Sequence, residues 1–181
     1  MAAPADSGVV HPVEPDADTR FMQGMIAHHA QAVAMVALIP THSSRADMRL
    51  LGQRIDVSQR DEIAMMRRWL QDHQQQAPAE GHEGHQTMNR DEMLMPGMLT
   101  SDQMTRLANA TGADFDTLFL EGMIRHHEGA LAMVAQLFAT PGAGQQSQVF
   151  AFASDVDADQ RAEINRMRAL LTTLTSGVRR P

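Results

Sequence analysis

The strongest constraint on the fold is an internal duplication. Residues 18–37 align without a gap with residues 116–135, and thirteen of the twenty positions are identical. Both copies contain Gly-Met-Ile-x-His-His. A second pair of segments, residues 55–70 and 156–171, matches at a slightly larger offset. Each copy therefore has two parts, and the two copies are expected to form equivalent structural units.

The first part of each copy has the pattern of a largely buried helix. In the first copy Met25, His28, Ala32 and Met35 recur at helical spacing, and the neighbouring positions widen this apolar stripe. Asp18 and its counterpart Asp116 are placed to cap or stabilise the helix starts. Pro40 and Pro141 are placed to end these helices.

The second part of each copy predicts an amphipathic helix. Residues 44–73 and 145–176 alternate apolar and charged residues with a period of about 3.6. Two helical hairpins cannot each bury an apolar face alone, so we expect them to pack about a pseudo-twofold axis. The predicted fold is all-α, an up-and-down four-helix bundle. Strand patterns are absent from the sequence.

The sequence predicts one domain with a long central connection. The bundle is expected over residues 18–176, with repeat one at 18–73, the connection at 74–113 and repeat two at 114–176. Residues 1–17 are predicted to be a disordered N-terminal segment and residues 177–181 a tail. Within the connection, a capping hydroxyl at Thr100 and a later Gly112 predict a short helix between them, lying across one end of the bundle.

Charge and composition exclude several classes of partner. Fifteen basic residues against twenty-two acidic ones give a net charge of -7, which opposes binding to nucleic acid or to an anionic membrane surface. No apolar run reaches the length of a membrane span, so no membrane insertion is expected. The absence of cysteine excludes disulfides, thiolate metal sites and cysteine nucleophiles.

The unusual counts are fifteen methionines and nine histidines, both of which can bind metal ions without a thiol. The His28-His29 and His126-His127 doublets lie in predicted core helices and are flanked by methionines in both copies. A further group in the connection includes His82 and His85. Thioether and imidazole together suit Cu(I), and metal ions are therefore the predicted partners.

Two other interpretations of these residues stay open. A methionine on an apolar helix face commonly fills the core, and a buried histidine is commonly hydrogen-bonded, here to Asp56, Gln59 or Glu62. Glu62 and Glu163 also invite comparison with di-iron bundles, which use Glu-x-x-His. That element is missing after both residues, so carboxylate-bridged iron is not expected.

Four segments resemble a known bacterial family, namely residues 21–35, 95–98, 112–115 and 119–133. The chain is similar over about residues 18–171 to the domain of unknown function 305 (DUF305) family, which includes CopM-like copper-binding proteins. The resemblance implies a ferritin-like four-helix bundle, export to the periplasm or cell exterior, and methionine and histidine ligands for copper tolerance. The ligands implied by the motif are Met25, His28, His29, Met35, Met123, His126, His127 and Met133.

The resulting hypothesis is a periplasmic or secreted protein that sequesters or hands on Cu(I) without turnover, with Ag(I) as a possible second ion. His82 and His85 would assist in capture, on the basis of composition alone. The alternatives are a ferritin-like redox enzyme with a bundle-bound metal and a metal-free helical interaction module.

Overall fold

The computed structural model describes residues 16–79 and 94–177. Over these two ranges the chain is helical and contains no strand, which confirms the all-α prediction. The helices are α1 (Ala17–Val36), α2 (Ile39–His42), α3 (Ala46–Asp72), α4 (Ser101–Asn109), α5 (Gly112–Ala139) and α6 (Ser147–Gly177).

The four long helices form two hairpins that meet through α1 and α5. The most extensive contacts join α1 to α3 and α5 to α6, and α1 also packs against α5. The first hairpin is antiparallel: Ile39, after the end of α1, lies against Gly52 near the start of α3, while His29 meets Glu62 further along. At the opposite end, Phe21 and Phe152 pack with ring centroids 6.3 Å apart.

The core has two apolar clusters, each built from all four long helices. The starts of α3 and α5 lie in one cluster and the starts of α1 and α6 in the other, so α3 and α5 are parallel and the predicted up-and-down order is wrong. The connection leaves α3 at one end of the bundle and reaches α5 at the other.

Along each long helix, buried polar residues lie between the part that joins one cluster and the part that joins the other. A polar layer thus crosses the middle of the protein. Its members are His28, His29, Gln59, Glu62, His126, His127, Gln160 and Glu163.

The helix boundaries test four predictions. Asp18 lies in the first turn of α1, which is one of the two placements predicted for it, and Asp16 caps the helix by accepting a hydrogen bond from the Thr19 N–H at 2.7 Å. Asp116, the counterpart of Asp18, lies beyond the first turn of α5. Asp18 is buried in the first turn and accepts a hydrogen bond from the Gly144 N–H at 2.6 Å, which ties the start of α1 to the α5–α6 connection.

Two predicted helix ends are wrong. Pro40 lies in the first turn of α2, because α1 has already ended at Val36. Gly112 begins α5, and α4 ends before it at Asn109.

The predicted short helix is present as α4. Thr100 and Gln103 form a capping box, in which each side chain accepts a hydrogen bond from the other residue's backbone N–H. Leu107 of α4 is buried in one of the two apolar clusters. His42, which lies 2.9 Å from the Ala108 carbonyl oxygen through Nε2, joins α2 to the last turn of α4.

Within residues 16–79 and 94–177, the helical stretch Ala17–His42 is long and apolar enough to cross a membrane by length and composition, with a mean hydropathy of 1.2 over 18 residues. The prediction that no such stretch exists is wrong on this criterion. Half of that window is buried inside the protein, and its buried face includes His28 and His29. A helix buried in a protein core meets the same criteria of length and hydropathy as a membrane-spanning helix.

Candidate metal centre

The two histidine doublets meet where α1 crosses α5. Adjacent residues on a helix point about 100° apart, so each doublet reaches two different neighbours. His28 faces His126 on α5, whereas His29 faces Glu62 on α3. His127 faces Glu163 on α6. All four imidazoles are buried. The doublet spacing therefore joins both hairpins in one layer.

Each hairpin contains a buried histidine bonded to a glutamate. His127 Nε2 lies 2.6 Å from Glu163 Oε2, and His29 Nε2 makes the equivalent short contact with Glu62 Oε2. Glu62 is held further by the Ser58 hydroxyl, which donates to Oε1 at 3.2 Å. The interpretation of Glu62 as a polar partner for a facing histidine agrees with this geometry. A carboxylate on Nε2 fixes the orientation of each ring.

His28 and His126 are in direct contact, with ring centroids 3.8 Å apart. The Nε2–H of His28 donates to the Pro96 carbonyl oxygen at 3.0 Å. Burial, helped by the nearby His29 ring, lowers the pKa of His28 to about 3. Burial also lowers the pKa of His126 well below its ordinary value, with a further contribution from His28. Both rings are therefore neutral at pH 7.

Three of the four imidazoles share one unusual feature. Their Nε2 atoms face an oxygen acceptor, while Nδ1 of His28, His29 and His127 is buried without a hydrogen-bond partner among the described residues. His126 has the same deficit at Nε2. A buried polar atom without a partner costs about 1–3 kcal/mol. In a neutral ring with its hydrogen on Nε2, the bare Nδ1 lone pair is the form that binds a metal ion.

Two buried glutamines complete the layer. Gln59 and Gln160 occupy equivalent positions in the two copies, and each has an Oε1 atom without a partner in the part of the chain that the structure describes. Over that part, no group of three or more His, Asp or Glu side chains converges to hold a metal ion. A site of two imidazoles, or of imidazole and thioether, remains compatible with this finding because soft ions accept few ligands.

The predicted methionine ligands differ in their surroundings. Met25 and Met123 are fully buried in different apolar clusters, on opposite sides of the layer, and Met35 is fully buried beside Met123. Met133 is half-buried at the edge of the cluster that contains Met25. The structure thus places these thioethers around the layer. His82 and His85 lie outside the described residues.

The segment before α4 contacts one side of the layer through Pro96, which sequence reasoning missed. The Gln31 side chain holds Leu99 through two hydrogen bonds, one to each backbone group, at 2.7 and 2.9 Å. Pro96 lies directly on Gly129, where a methyl group would come within 1.8 Å of the Pro96 carbonyl oxygen. Gln31 and Gly129 occupy equivalent positions in the two copies but are different residues. This difference is the sequence feature that could have indicated the contact with the segment before α4.

An acidic cleft opens beside the layer. It has a volume of about 230 Å³, and Glu62, Asp155 and Asp159 contribute carboxylates to its lining, with Met65 and Phe152 beside them. Burial raises the pKa of Asp159, and the charges of Glu62, Glu163 and Asp155 add to this effect. The concentration of negative charge favours the approach of cations to this side of the protein.

The fold and the layer define an all-helical protein with equivalent histidine–glutamate pairs in its two hairpins. The chain belongs to the DUF305 family, whose model matches residues 18–171. No match was found among curated proteins.

Solved structures of DUF305 proteins and of CopM resemble the chain over most of its length. A Streptomyces coelicolor DUF305 protein, provisionally described as secreted, is 26% identical, with 88% of this chain and 94% of that chain covered and a TM-score of 0.75. A DUF305 fragment from Deinococcus radiodurans is 26% identical, with 90% and 99% covered and a TM-score of 0.75. CopM in its Cu(I)-bound form is 25% identical, with 86% and 96% covered and a TM-score of 0.64. CopM has also been solved with Cu(II) and with Ag bound.

Proposed function

We propose that this protein binds Cu(I) in its buried histidine layer and sequesters the ion or hands it on. The observation that carries this proposal is the bare Nδ1 atom on each of three buried imidazoles whose Nε2 atoms face oxygen acceptors. The similarity to CopM, solved with copper and silver bound, supports a metal-binding role.

The chemistry of the layer favours a soft monovalent ion. His28, His29, His126 and His127 would supply neutral nitrogen donors, and the surrounding apolar clusters, which contain many thioethers, would exclude water. Met25, Met35 and Met123 are the proposed thioether ligands, and Met133 is a proposed neighbour of the layer. Imidazole and thioether suit Cu(I) and Ag(I) better than hard divalent ions.

The two glutamates act on the histidines in this proposal. Glu62 and Glu163 would accept hydrogen bonds from Nε2 and leave Nδ1 free for the ion, as outer-shell carboxylates do in other metal sites. Because both carboxylates already contact imidazoles, no observation favours a redox enzyme that uses them as metal ligands. We propose binding without turnover.

The cellular setting is part of the same proposal. A copper-tolerance protein would act in the periplasm or outside the cell, and the provisional description of the Streptomyces coelicolor relative as secreted supports that location. The parallel course of α3 and α5, which needs one long crossover between them, suits a ferritin-like bundle. His82 and His85 are proposed to assist ion capture.

The test is an anaerobic titration with Cu(I) against a chromophoric chelator. Replacing His28 and His127 with glutamine should weaken binding by more than about 100-fold, beyond the loss typical of an outer-shell partner. His73→Gln is the matched control, because His73 is exposed and lies outside the layer. Circular dichroism would verify that each variant is helical. Unchanged Cu(I) affinity and stoichiometry in the His28→Gln/His127→Gln variant would contradict the proposal, and the single His29→Gln variant offers a milder second test.

A further inference from the structure

Two methionine side chains from different parts of the chain lie over Gly24 of α1. A methyl group at Gly24 would lie 3.2 Å from Met95 Sδ and 3.4 Å from Met133 Cε. Met133 belongs to α5, and Met95 belongs to the segment before α4. Both side chains are half-buried, so solvent reaches this point. The absence of a side chain at Gly24 makes room for the two thioethers.

The second copy has the same arrangement without the second sulfur. Gly122 is the counterpart of Gly24, and a methyl group there would lie 3.4 Å from Met35 Cε and 3.4 Å from Leu99 Cδ2. Met35 is 0% exposed and Leu99 is 4% exposed. This counterpart therefore has one thioether and is closed to solvent. The comparison shows that a glycine covered by side chains is a packing feature of both copies, whereas an accessible thioether pair occurs at Gly24.

The thioether pair adjoins the histidine layer. Gly24 precedes His28 by one helical turn, so the two positions share a face of α1. Pro96, next to Met95, accepts the hydrogen bond from His28 Nε2 at 3.0 Å. Met133 follows Gly129 by one turn on α5, and Gly129 supports Pro96. The same short segment thus contacts the layer and contributes a sulfur atom next to it.

We propose that Met95 and Met133 form a second binding site for Cu(I) or Ag(I), separate from the buried histidines. Thioether sulfur is a soft, neutral donor that binds these ions in preference to hard cations. Half-burial lets an ion reach the pair from solvent. This inference deepens the proposed function and rests on it, because it assigns a further site for the same class of ion.

The test uses Ag(I), which does not change oxidation state, and the full chain labelled with ¹³C at the methionine methyl groups. The Met95 and Met133 methyl resonances should shift together as Ag(I) is added. In Met133→Leu, the Met95 response should require at least about 10-fold more Ag(I), a loss of about 1.4 kcal/mol. Met98→Leu is the matched control, because Met98 lies in the same segment and is not within 4 Å of the Gly24 position. It should leave both responses intact.

The imidazole nitrogens of His28 and His127, followed in the same samples, separate this inference from the proposed function. Imidazole shifts with unmoved Met95 and Met133 methyl groups would overturn the thioether site and leave the histidine layer as the binding site. Shifts of both methyl groups without imidazole shifts would support the thioether site and contradict the proposed function. A Met95 response that is unchanged in Met133→Leu would also overturn the pair.

Discussion

The imidazole rings of His28 and His126 are in contact across the crossing of α1 and α5, with centroids 3.8 Å apart. Two charged rings at this distance inside a protein would repel strongly, and burial already disfavours the charged form of each ring. The contact therefore excludes a charge on both rings at once. It makes the metal-free protein sensitive to acid.

We expect the metal-free protein to lose stability as the pH falls below 6.5. The pKa of His28 is lowered from 6.5 to about 3 in the folded protein, so between these values the unfolded chain binds a proton that the folded one does not. The contribution of His28 to stability is therefore fully present above pH 6.5, the pKa of this side chain in the unfolded protein. It is lost as the pH falls toward about 3, the pKa of His28 in the folded protein. The linkage amounts to at most about 1.4 kcal/mol per pH unit for one histidine, or roughly 2 kcal/mol at pH 5.

Urea unfolding between pH 7 and pH 5 measures this effect. The range avoids carboxylates such as Asp47 and Asp157, whose pKa values are lowered from 3.8 by hydrogen bonds from arginines and which titrate at lower pH. His28→Gln should have a shallower pH dependence than the unaltered protein. The same slope in both proteins would show that His28 takes up a proton in the folded protein as readily as in the unfolded chain.

The sequence predicted the helices well because their signals are local. Apolar periodicity and the Thr100 capping hydroxyl act over one or two turns, and α4 begins directly after Thr100. Pro40 and Gly112 were misinterpreted because proline suits the first turn of a helix as well as the end of one, and a glycine between two helices is compatible with either.

The histidine layer was predicted in part. The sequence placed each doublet in a core helix and offered Glu62 as a polar partner for a buried histidine, whereas Glu163 was considered only through the comparison with di-iron bundles. The role of the Pro96 carbonyl oxygen and of Met95 could not be predicted, because their contacts depend on where a connection 68 residues along the chain from His28 returns to the helices. Helical periodicity carries no information on that path.

Replacing Glu62 or Glu163 with glutamine should weaken Cu(I) binding while the fold persists. Glutamine can keep a hydrogen bond with the imidazole, but it does not supply the negative charge that raises the basicity of the ring. The expected loss is about 10- to 100-fold in Cu(I) affinity, as for other outer-shell partners. Anaerobic chelator competition measures it.

The control for both variants is Glu128→Gln. Glu128 accepts a hydrogen bond from Arg168 at 2.6 Å, but this pair is exposed and lies outside the layer. Its loss should change stability by less than about 1 kcal/mol and leave Cu(I) affinity unchanged. If Glu128→Gln weakened binding as much as Glu62→Gln, the effect would reflect net charge and not the orientation of the histidine.

Gly129→Ala should destabilise the protein by displacing the segment before α4. The new methyl group would lie 1.8 Å from the Pro96 carbonyl oxygen and 2.4 Å from its carbon, so the backbone must move and the His28 bond to Pro96 must weaken. Overpacking of this kind costs about 1–3 kcal/mol or more. The helix preference of alanine offsets roughly 1 kcal/mol of that cost.

Gly24→Ala is the matched control for this substitution, since Gly24 also lies within a helix. Its methyl group would meet only the flexible ends of Met95 and Met133, at 3.2 and 3.4 Å. The urea midpoint of Gly24→Ala should therefore be near that of the unaltered protein, and that of Gly129→Ala should be lower. Equal midpoints for the two variants would show that the Pro96 segment moves away at little cost.

Thr100→Ala should loosen α4 and the segment that precedes it. The Thr100 hydroxyl accepts from the Gln103 N–H at 3.2 Å, and the Gln103 side chain accepts from the Thr100 N–H at 3.0 Å, so the substitution removes one half of a capping box. Loss of such a cap costs about 1 kcal/mol.

The matched control is Thr111→Ala, because Thr111, at the start of α5, makes no capping hydrogen bond through its side chain. Hydrogen exchange should become faster in α4 of Thr100→Ala and stay unchanged in Thr111→Ala. Equal exchange in both variants would mean that α4 is held by burial of Leu107 and not by its cap.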